Sequence, residues 1–233
     1  MQLEITPTVK NDVLSRGEEL ICKLLPGDIK LSDPTITSLA RYSAALLDIN
    51  EKINLTGAKT LEGLIIKHVL DVVCAVQAPF PFSKKLVDVG SGGGIPGIIL
   101  AILWENAQVH LVERRQKKAG CLQALVDCLG LHDRVPVHAE DLHQVRPSFL
   151  NEDLWFRGFS PGAELAEFIN TLYPRGRQGH LIFMKGPRWE EEKSQIVASK
   201  KVEPRWKEAI VKKSKEYKYV LPENAGERVL VHV

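Results

Sequence analysis

The sequence predicts an α/β fold in which a doubly wound parallel sheet follows an N-terminal helical extension. Up to about residue 82, apolar residues recur at a helical period and form no convincing strand. After the proline-rich stretch 78–83, short apolar runs alternate with helical segments, which is typical of strands joined by crossover helices. We therefore expect a helical cap over residues 1–82 and one α/β domain over residues 83–233.

The cap is expected to contain three helices, over residues 12–25, 35–53 and 61–76. Ser32 and Pro34 mark the beginning of the second, because a serine oxygen accepts from first-turn amides and proline is tolerated in the first turn. The stretch APFPFS over residues 78–83 then breaks the helical pattern and is the predicted domain boundary.

Beyond the boundary the sequence predicts five strands alternating with helices, and two more strands near its end. The strands are expected over residues 85–89, 108–112, 134–138, 154–156, 180–184, 207–213 and 227–233. The helices are expected over residues 96–104, 116–129 and 163–172, with a turn over residues 174–179.

The composition is typical of a globular protein, with 44% apolar and 26% charged residues. No run approaches the ~18 apolar residues of a membrane span, and the first residues lack the apolar core of a signal peptide. We therefore expect a cytoplasmic monomer with no membrane partner. The four cysteines form no CxxC pair and cluster with no histidines, so neither a disulfide framework nor a metal site is expected.

The net charge of +2 is too small to establish nucleic-acid binding, because the distribution of charge matters more than its sum. Basic residues concentrate between positions 200 and 218. A solvated face is the simplest interpretation of this run, and an RNA-tracking surface is compatible with it. Its members are Lys200, Lys201, Arg205, Lys207, Lys212, Lys213, Lys215 and Lys218.

The segment KLVDVGSGGGIPG, residues 85–97, carries the main functional signal. A buried strand that runs into glycines and then a helix places a nucleotide-like ligand at the carboxyl end of that strand. Glycines let the backbone turn sharply and approach a ligand closely. Gly92, Gly94 and Gly97 also satisfy the dinucleotide pattern GxGxxG, so a nicotinamide or flavin enzyme stays open at this point.

Asp88, two residues before the first glycine, discriminates between these ligands. An ionised carboxylate there would repel a pyrophosphate, whereas the ammonium and sulfonium groups of S-adenosylmethionine would be attracted. The acid therefore favours a methyl donor as the cofactor. The alternative is that Asp88 accepts hydrogen bonds from the amides of its own turn.

Two further acidic positions follow the next predicted strands. Glu113 ends the second strand and can accept bonds from both ribose hydroxyls of an adenosine, which either ligand class contains. After the third strand, Ala139 leaves room for an adenine edge and an acid, Glu140 or Asp141, can accept from its exocyclic amine. Asp141 could instead cap the following helix.

Seven segments, in order along the chain, carry a resemblance to a known family. They are Asn54-Leu55-Thr56, KHVLD at 67–71, DVGSGGGIPGIILAI at 88–102, Lys117-Lys118, Arg157, Met184-Lys185-Gly186 and Gly226-Glu227-Arg228. From about residue 40 to its end, the sequence is similar to the bacterial small-subunit ribosomal RNA guanine-N7 methyltransferases, also called RsmG or glucose-inhibited division protein B. Each motif alone is weak, but IPG within the glycine loop followed by MKG is specific.

The resemblance implies a class I S-adenosylmethionine-dependent methyltransferase fold (Rossmann-like) with an N-terminal helical cap. The substrate would be 16S rRNA or the small ribosomal subunit, methylated at N7 of one guanine in the decoding-region loop. By analogy Arg157, Lys185 and Arg228 are the predicted catalytic residues, and no metal is expected. The predicted cofactor-binding residues are Asp88, Gly90, Gly92, Gly94, Ile95, Glu113, Ala139, Glu140 and Arg157.

The chain departs from the family pattern at three positions. Glu113 stands where Asp is usual and lengthens the reach toward the ribose. His138 stands where Arg is common, and Gly158 lies in FRGF where the family has Ser-Arg-Ala-Phe. The last two departures are expected near the reaction centre.

Methylation of guanine N7 constrains the chemistry to be sought. N7 carries an in-plane lone pair and no proton, so no general base is needed; the enzyme must capture an unstacked base and align it with the methyl group. Arg157 is expected to orient the donor carboxylate or guanine O6 with its fork of N–H groups. For Lys185 and Arg228, a solvated strand-end lysine and a hairpin cation are the simpler alternatives.

Three other functions stay open on the sequence alone. A small-molecule methyltransferase would share the cofactor site without needing a basic surface. An NAD-dependent oxidoreductase would share the glycine loop, and a non-catalytic RNA-binding module would bind the donor without transferring a methyl group.

Overall fold

Seven strands form one sheet in the computed structural model, which describes residues 6–145, 149, 151–173 and 179–233. The sheet order is β3-β2-β1-β4-β5-β7-β6. The strands are β1 (Lys85–Val89), β2 (Gln108–Val112), β3 (Val137–His138), β4 (Asp153–Arg157), β5 (Leu181–Lys185), β6 (Lys215–Val220) and β7 (Glu227–His232). Strands β1 to β5 run parallel, as predicted. At the other edge the sheet is mixed, because β7 is antiparallel to both β5 and β6.

Helices cover both faces of this sheet. They are α1 (Asn11–Leu24), α2 (Asp33–Lys52), α3 (Leu61–Leu64), α4 (Leu70–Ala75), α5 (Gly97–Leu103), α6 (Gln116–Cys128), α7 (Leu142–Val145), α8 (Gly162–Leu172), α9 (Trp189–Ala198) and α10 (Pro204–Lys207). Helix α2 begins as predicted, because Ser32 Oγ accepts from Thr35 N at 3.4 Å and Pro34 lies in the first turn. None of the helices in the described part of the chain is long and apolar enough to cross a membrane.

The third helix of the cap is interrupted by a π-helical turn. Residues Ile65–Val69 form this turn between α3 and α4, within the segment predicted as one helix over 61–76. Such turns shift the side chains that follow them and often occur at functional sites. Here the interruption lies in the KHVLD motif, which reaches the sheet at the site described below.

Near the C-terminus one secondary-structure prediction is wrong and one helix was not predicted. Residues 207–213, predicted as a strand, mostly form the π-helical turn Glu208–Lys213, and the strand is β6 instead. Helix α9, with three glutamates in its first turn, is an element that the sequence did not predict. Of the turn predicted over 174–179, residues 174–178 lie outside the described residues.

The apolar core is divided by the sheet into two parts. On one face the cap helices and α5 and α6 pack together with β1 and β2, in a cluster that includes Leu39, Ile49, Leu86 and Leu111. On the other face α8, α9 and the Glu208–Lys213 turn cover β4, β5 and β7. The cap therefore shares its core with the sheet rather than burying its apolar face alone, while the division at residue 82 stays a prediction.

The predicted boundary segment is packed onto the base of the sheet. Ser83 N donates to Asp153 Oδ2 at 2.7 Å, and the Phe82 ring lies 5.3 Å from those of Trp104 and Trp155. These contacts lie at the amino ends of β1 and β4. The opposite, carboxyl ends are left for the site, and β1 lies between β2 and β4, where the strand order reverses.

Candidate active site

Two cavities adjoin each other beyond the carboxyl ends of the parallel strands. The first, here called the β1–β2 cleft, measures about 460 Å³, and Gly90, Glu113 and Glu140 lie on its wall. The second, the β4–β5 cavity, measures about 640 Å³. Its wall includes Asp71, Arg157, Met184, Lys185, Arg188 and Arg228. Gly158 and Ser160 line both spaces, so two ligands bound there would meet at this point.

The loop after β1 depends on glycine for its path. Gly90, Gly92 and Gly94 have φ angles of 75°, 57° and 83°, a region that other residues rarely adopt. A Cβ at Gly90 would lie 3.0 Å from the Phe159 ring. Of the predicted loop residues, only Gly90 lies on the wall of the β1–β2 cleft. Gly92 and Gly94 shape the turn, and Ile95 is buried in the core.

Residues of the cap fix the position of the glycine loop by a hydrogen bond and by close packing. Tyr42 in α2 is fully buried and its hydroxyl donates to Gly93 O at 2.9 Å. A Cβ at Gly93 would lie 3.1 Å from Thr56, which belongs to the NLT motif. Asn50 Oδ1 holds that motif in place by accepting from the backbone N of Leu55 and of Thr56, both at 2.8 Å. Sequence reasoning missed Tyr42, because a buried aromatic residue on a helix gives no functional signal.

Asp88 is buried behind the loop, and each of its carboxylate oxygens has a different environment. Oδ2 accepts from Gly97 N at 3.0 Å, which is the turn-stabilising contact considered as an alternative. Oδ1 is buried without a hydrogen-bond partner among the described residues. Burial raises the pKa of Asp88 to about 7, and the hydrogen bond from Gly97 only partly offsets that effect. The side chain is therefore close to its titration point at neutral pH.

The acid at the end of β2 is held by backbone amides. Glu113 Oε1 accepts from Arg115 N at 2.9 Å, and Oε2 accepts from Gly92 N at 3.2 Å. Each carboxylate oxygen has a second lone pair, so Glu113 can still accept bonds from a ligand in the β1–β2 cleft.

Of the residues predicted after β3, only some face the β1–β2 cleft. Glu140 and Asp141 lie on its wall, whereas Ala139 does not, and its backbone carbonyl accepts from Gln116 Nε2 at 2.7 Å. Asp141 Oδ1 accepts from His143 N at 3.0 Å and so caps α7, the alternative considered for it. His138 pairs with His110, with 3.0 Å between ring nitrogens, and lies outside the walls of both cavities, contrary to expectation.

Arg157 uses most of its guanidinium to join the sheet to the cap. Nε and Nη2 donate to Asp71 Oδ2 at 3.1 and 2.9 Å, and Nη2 also donates to Lys67 O at 2.7 Å. Nη2 lies 3.0 Å from His68 Nδ1 as well. The two neighbouring N–H groups that were expected to donate to a ligand thus donate to Asp71 instead. Among the described residues, Nη1 has no partner.

Lys185 and Arg228 also lie on the wall of the β4–β5 cavity, but they are held differently. Lys185 is only 8% exposed and donates to Glu192 Oε2 at 2.8 Å and Ser160 O at 3.1 Å, so its ammonium group is not solvated. Arg228 Nη1 donates to Glu227 O at 2.8 Å, and its Nε lies 4.0 Å from Asp71 Oδ1.

Asp71 and Tyr219 are site residues that sequence reasoning did not single out. The Tyr219 hydroxyl donates to Asp71 Oδ1 at 2.7 Å, across 148 positions of sequence. Burial raises the pKa of Tyr219 well above its ordinary value, so the hydroxyl stays protonated. The KHVLD motif marked the segment that contains Asp71, but no local pattern indicates its partners.

Exposed cations flank the β1–β2 cleft. Arg114 and Arg115 lie on its wall and form no ion pair within the described ranges. In contrast, part of the basic run near the C-terminus is neutralised by acids. Lys201 lies 3.6 Å from Glu167, and Lys213 lies 3.0 Å from Glu208. Lys212 and Lys215 of the same run are exposed and form no ion pair within the described ranges, so unpaired positive charge lies both beside the cleft and along this run.

A family model described as rRNA small subunit methyltransferase G (GidB) matches residues 35–220. Among curated relatives, a Clostridium botulinum (strain Alaska E43 / Type E3) protein named "Ribosomal RNA small subunit methyltransferase G" is 33% identical over 177 residues. That match covers 75% of this chain and 74% of the relative. A protein of the same name from Hydrogenovibrio crunogenus is 34% identical over 166 residues, covering 71% and 74%.

Solved structures share the fold at low sequence identity. A putative O-methyltransferase from Klebsiella pneumoniae matches with a TM-score of 0.55 at 14% identity, covering 97% of this chain and 99% of its own. MtNAS in a complex with MTA and tNA matches with a TM-score of 0.50 at 13% identity, covering 95% and 84%. At such identities these likenesses show the architecture alone.

Proposed function

The chain belongs to the family of rRNA small subunit methyltransferase G, and from that membership we propose that its two cavities bring a methyl donor together with a guanine of 16S rRNA. The fold is that of class I S-adenosylmethionine-dependent methyltransferases, and the reaction is methyl transfer to N7 of guanine in small-subunit rRNA. The observation that carries the proposal is the junction of the two cavities at Gly158 and Ser160. A base in the decoding-region loop is the proposed target.

The residues around the β1–β2 cleft fit S-adenosylmethionine. Glu113 would accept from the ribose hydroxyls, Glu140 would lie beside the adenine, and Gly90 leaves the wall free of a side chain. Asp88 is buried and lines neither cavity, so it would act on a bound ligand through its charge alone, which favours a cationic donor over the pyrophosphate of a dinucleotide. When bound, the donor supplies a methyl group already activated by its sulfonium. The protein then has to bind the donor and the guanine and to align them.

The β4–β5 cavity has the properties that a guanine acceptor requires. Guanine O6 is an acceptor to which arginine often donates, whereas the N7 lone pair must stay free to attack the methyl group. Arg157, Arg188 and Arg228 lie on the cavity wall. Burial and the neighbouring Arg157 lower the pKa of His68 to about 3, so this imidazole stays neutral and accepts from Arg157 rather than acting as an acid. A reaction at N7 needs no proton acceptor.

The proposed RNA path runs past the rim of the β1–β2 cleft. Arg114 and Arg115 are exposed there and are free of ion pairs among the described residues, so both can contact phosphates. A monomer suffices for this role, since one chain contributes both cavities.

Ligand-induced shifts of the melting temperature test the choice of donor. We expect S-adenosylhomocysteine to raise the Tm and NAD to leave it unchanged, because a ligand that binds the native state stabilises it. A shift with NAD alone would remove the basis for the proposal. Binding of the S-adenosylhomocysteine complex to a 16S rRNA fragment then separates an RNA substrate from a small-molecule substrate, for which no RNA affinity is expected.

A further inference from the structure

The β4–β5 cavity contains a buried carboxylate that the reaction itself does not need. Asp71 is 2% exposed and receives three hydrogen bonds, two from Arg157 at 2.9 and 3.1 Å and one from Tyr219 at 2.7 Å. Arg228 Nε lies 4.0 Å from its second oxygen. A carboxylate so deeply buried is stable only with such partners, and each partner is fixed in return.

These contacts join four elements that are distant in sequence. Asp71 belongs to α4 of the cap, Arg157 to β4, Tyr219 to β6 and Arg228 to β7. The π-helical turn before α4 adds Lys67 O and His68 Nδ1 as acceptors for Arg157. Among the described residues, all the acceptors that hold the Arg157 guanidinium are therefore supplied by the cap.

We propose that Asp71 is a positioning residue of the acceptor cavity, which holds Arg157 and Arg228 in place to receive the substrate guanine. The inference rests on the proposed function of the β4–β5 cavity. Asp71 engages two of the three Arg157 nitrogens, so Arg157 presents Nη1 alone, in one orientation. Tyr219 fixes the carboxylate from the opposite side. The cap thus completes the acceptor site and is more than a cover for the sheet.

Loss of this carboxylate would misplace both arginines. The two cations would repel each other across the vacated site, and the Arg157 fork would turn to other acceptors, such as Glu191 or Glu192 on the same wall. Reacting groups displaced by about 1 Å lose roughly 100-fold in rate, whereas the donor in the neighbouring cleft keeps its own contacts. A positioning role therefore predicts loss of turnover without loss of donor binding.

The test compares two buried carboxylates that lie at opposite ends of β4. Asp71→Asn removes the charge near the carboxyl end of β4. Asp153→Asn removes an equally buried charge at its amino end, where Asp153 accepts from Ser83 and His180. For each full-length variant, kcat and KM are measured with small ribosomal subunits, together with the Tm and the S-adenosylhomocysteine affinity.

We expect Asp71→Asn to lower kcat roughly 10- to 100-fold while donor affinity stays within about twofold. Asp153→Asn is expected to lower the Tm and leave kcat nearly unchanged. Combined with Arg157→Gln, Asp71→Asn should add less than its loss in the wild-type background, because both changes remove the Arg157–Asp71 interaction and only the contact with Arg228 is left to lose. Unchanged kcat in Asp71→Asn, or an equal loss of kcat in Asp153→Asn, overturns the proposal.

A second variant covers the case in which Asp71→Asn does not fold. Tyr219→Phe removes one donor to Asp71 and adds no charge, so kcat is expected to fall with donor affinity retained, and an unchanged kcat overturns the proposal. An inactive wild-type protein would instead contradict the proposed function. Active wild type with equally active variants contradicts only the role of Asp71.

Discussion

At the residue scale, the chemistry of the glycine loop depends on whether Asp88 is ionised. Burial raises its pKa from an ordinary value of 3.8 to about 7. A carboxyl group with a raised pKa holds its proton more tightly in the native state, so its contribution favours folding below pH 4 and is lost as the pH rises to about 7. A cationic ligand reverses this preference, because it stabilises the ionised form.

Donor binding is therefore expected to be coupled to release of a proton from Asp88. In calorimetric titrations the affinity for S-adenosylmethionine should increase as the pH rises from about 6 to 8, since the ionised carboxylate attracts the donor's positive charge. Asp88→Asn should bind more weakly at the upper end and lose this dependence. If the donor affinity of both proteins depended on pH in the same way, ionisation of Asp88 would not be coupled to donor binding.

Single residues in and beside the cleft were predictable where the backbone conformation requires a particular residue type. Gly90, Gly92 and Gly94 all have positive φ, which is why their pattern was informative. Glu113 was predictable because it ends a buried strand. The contacts of Arg157 were not, because its acceptors Asp71 and Lys67 lie 86 and 90 positions away, and no local pattern encodes such pairs.

At the scale of elements, the cap and the glycine loop act as one unit. Tyr42 on α2 donates to Gly93 O from a fully buried position. Burial raises the Tyr42 pKa well above its ordinary value, so the hydroxyl remains a donor over the accessible pH range. The path of the loop is therefore fixed partly by a helix some fifty residues earlier.

Tyr42→Phe is expected to reduce the free energy of unfolding by about 1–3 kcal/mol, because it leaves the Gly93 carbonyl buried without a donor. Donor affinity should fall with it, since the loop loses its anchor. Urea unfolding and calorimetry measure the two effects. Ser43→Ala is the matched control: it removes another buried hydroxyl from α2, one that donates only to Leu39 O within the same helix. Equal donor affinity in both variants would contradict the coupling.

Elements buried on both faces were the ones that the sequence predicted well. Strands β1 and β2 have the predicted bounds, because apolar runs between turn residues define them. The edge strand β6 was missed, since its lysines and tyrosines alternate between solvent and sheet without an apolar run. The neighbouring run around Ile210 looked more strand-like, yet it continues α10, where Pro204 begins a helix.

At the scale of the whole molecule, the uneven distribution of cations decides how RNA can be held. Arg114 and Arg115 are exposed at the β1–β2 cleft, whereas Lys201 and Lys213 are already close to acids. A lysine that is already paired with an acid contributes less free energy to phosphate binding, because the existing ion pair must first be broken. Because Arg114 and Arg115 lie on the wall of the proposed donor site, the RNA backbone is expected to follow the rim of the cleft.

Replacing Arg114 and Arg115 together with alanine should weaken RNA binding and its dependence on salt. The slope of log affinity against log salt concentration should become shallower by about 0.7 for each phosphate contact that is lost. Replacing Lys201 and Lys213 removes the same formal charge and should change the slope much less. Fluorescence anisotropy with a single-stranded 16S rRNA fragment, without donor, measures both. Equal slopes for the two double variants would contradict an RNA path along the rim of the β1–β2 cleft.

Methyl transfer to the ribosome tests the central claim most directly. The purified protein is incubated with labelled S-adenosylmethionine and small ribosomal subunits from a strain that lacks it, and the methylated guanines of 16S rRNA are mapped. The two adjoining cavities and the family membership predict label at N7 of one guanine in the decoding-region loop. No label at any guanine N7, in a preparation that demonstrably binds the donor, would contradict it.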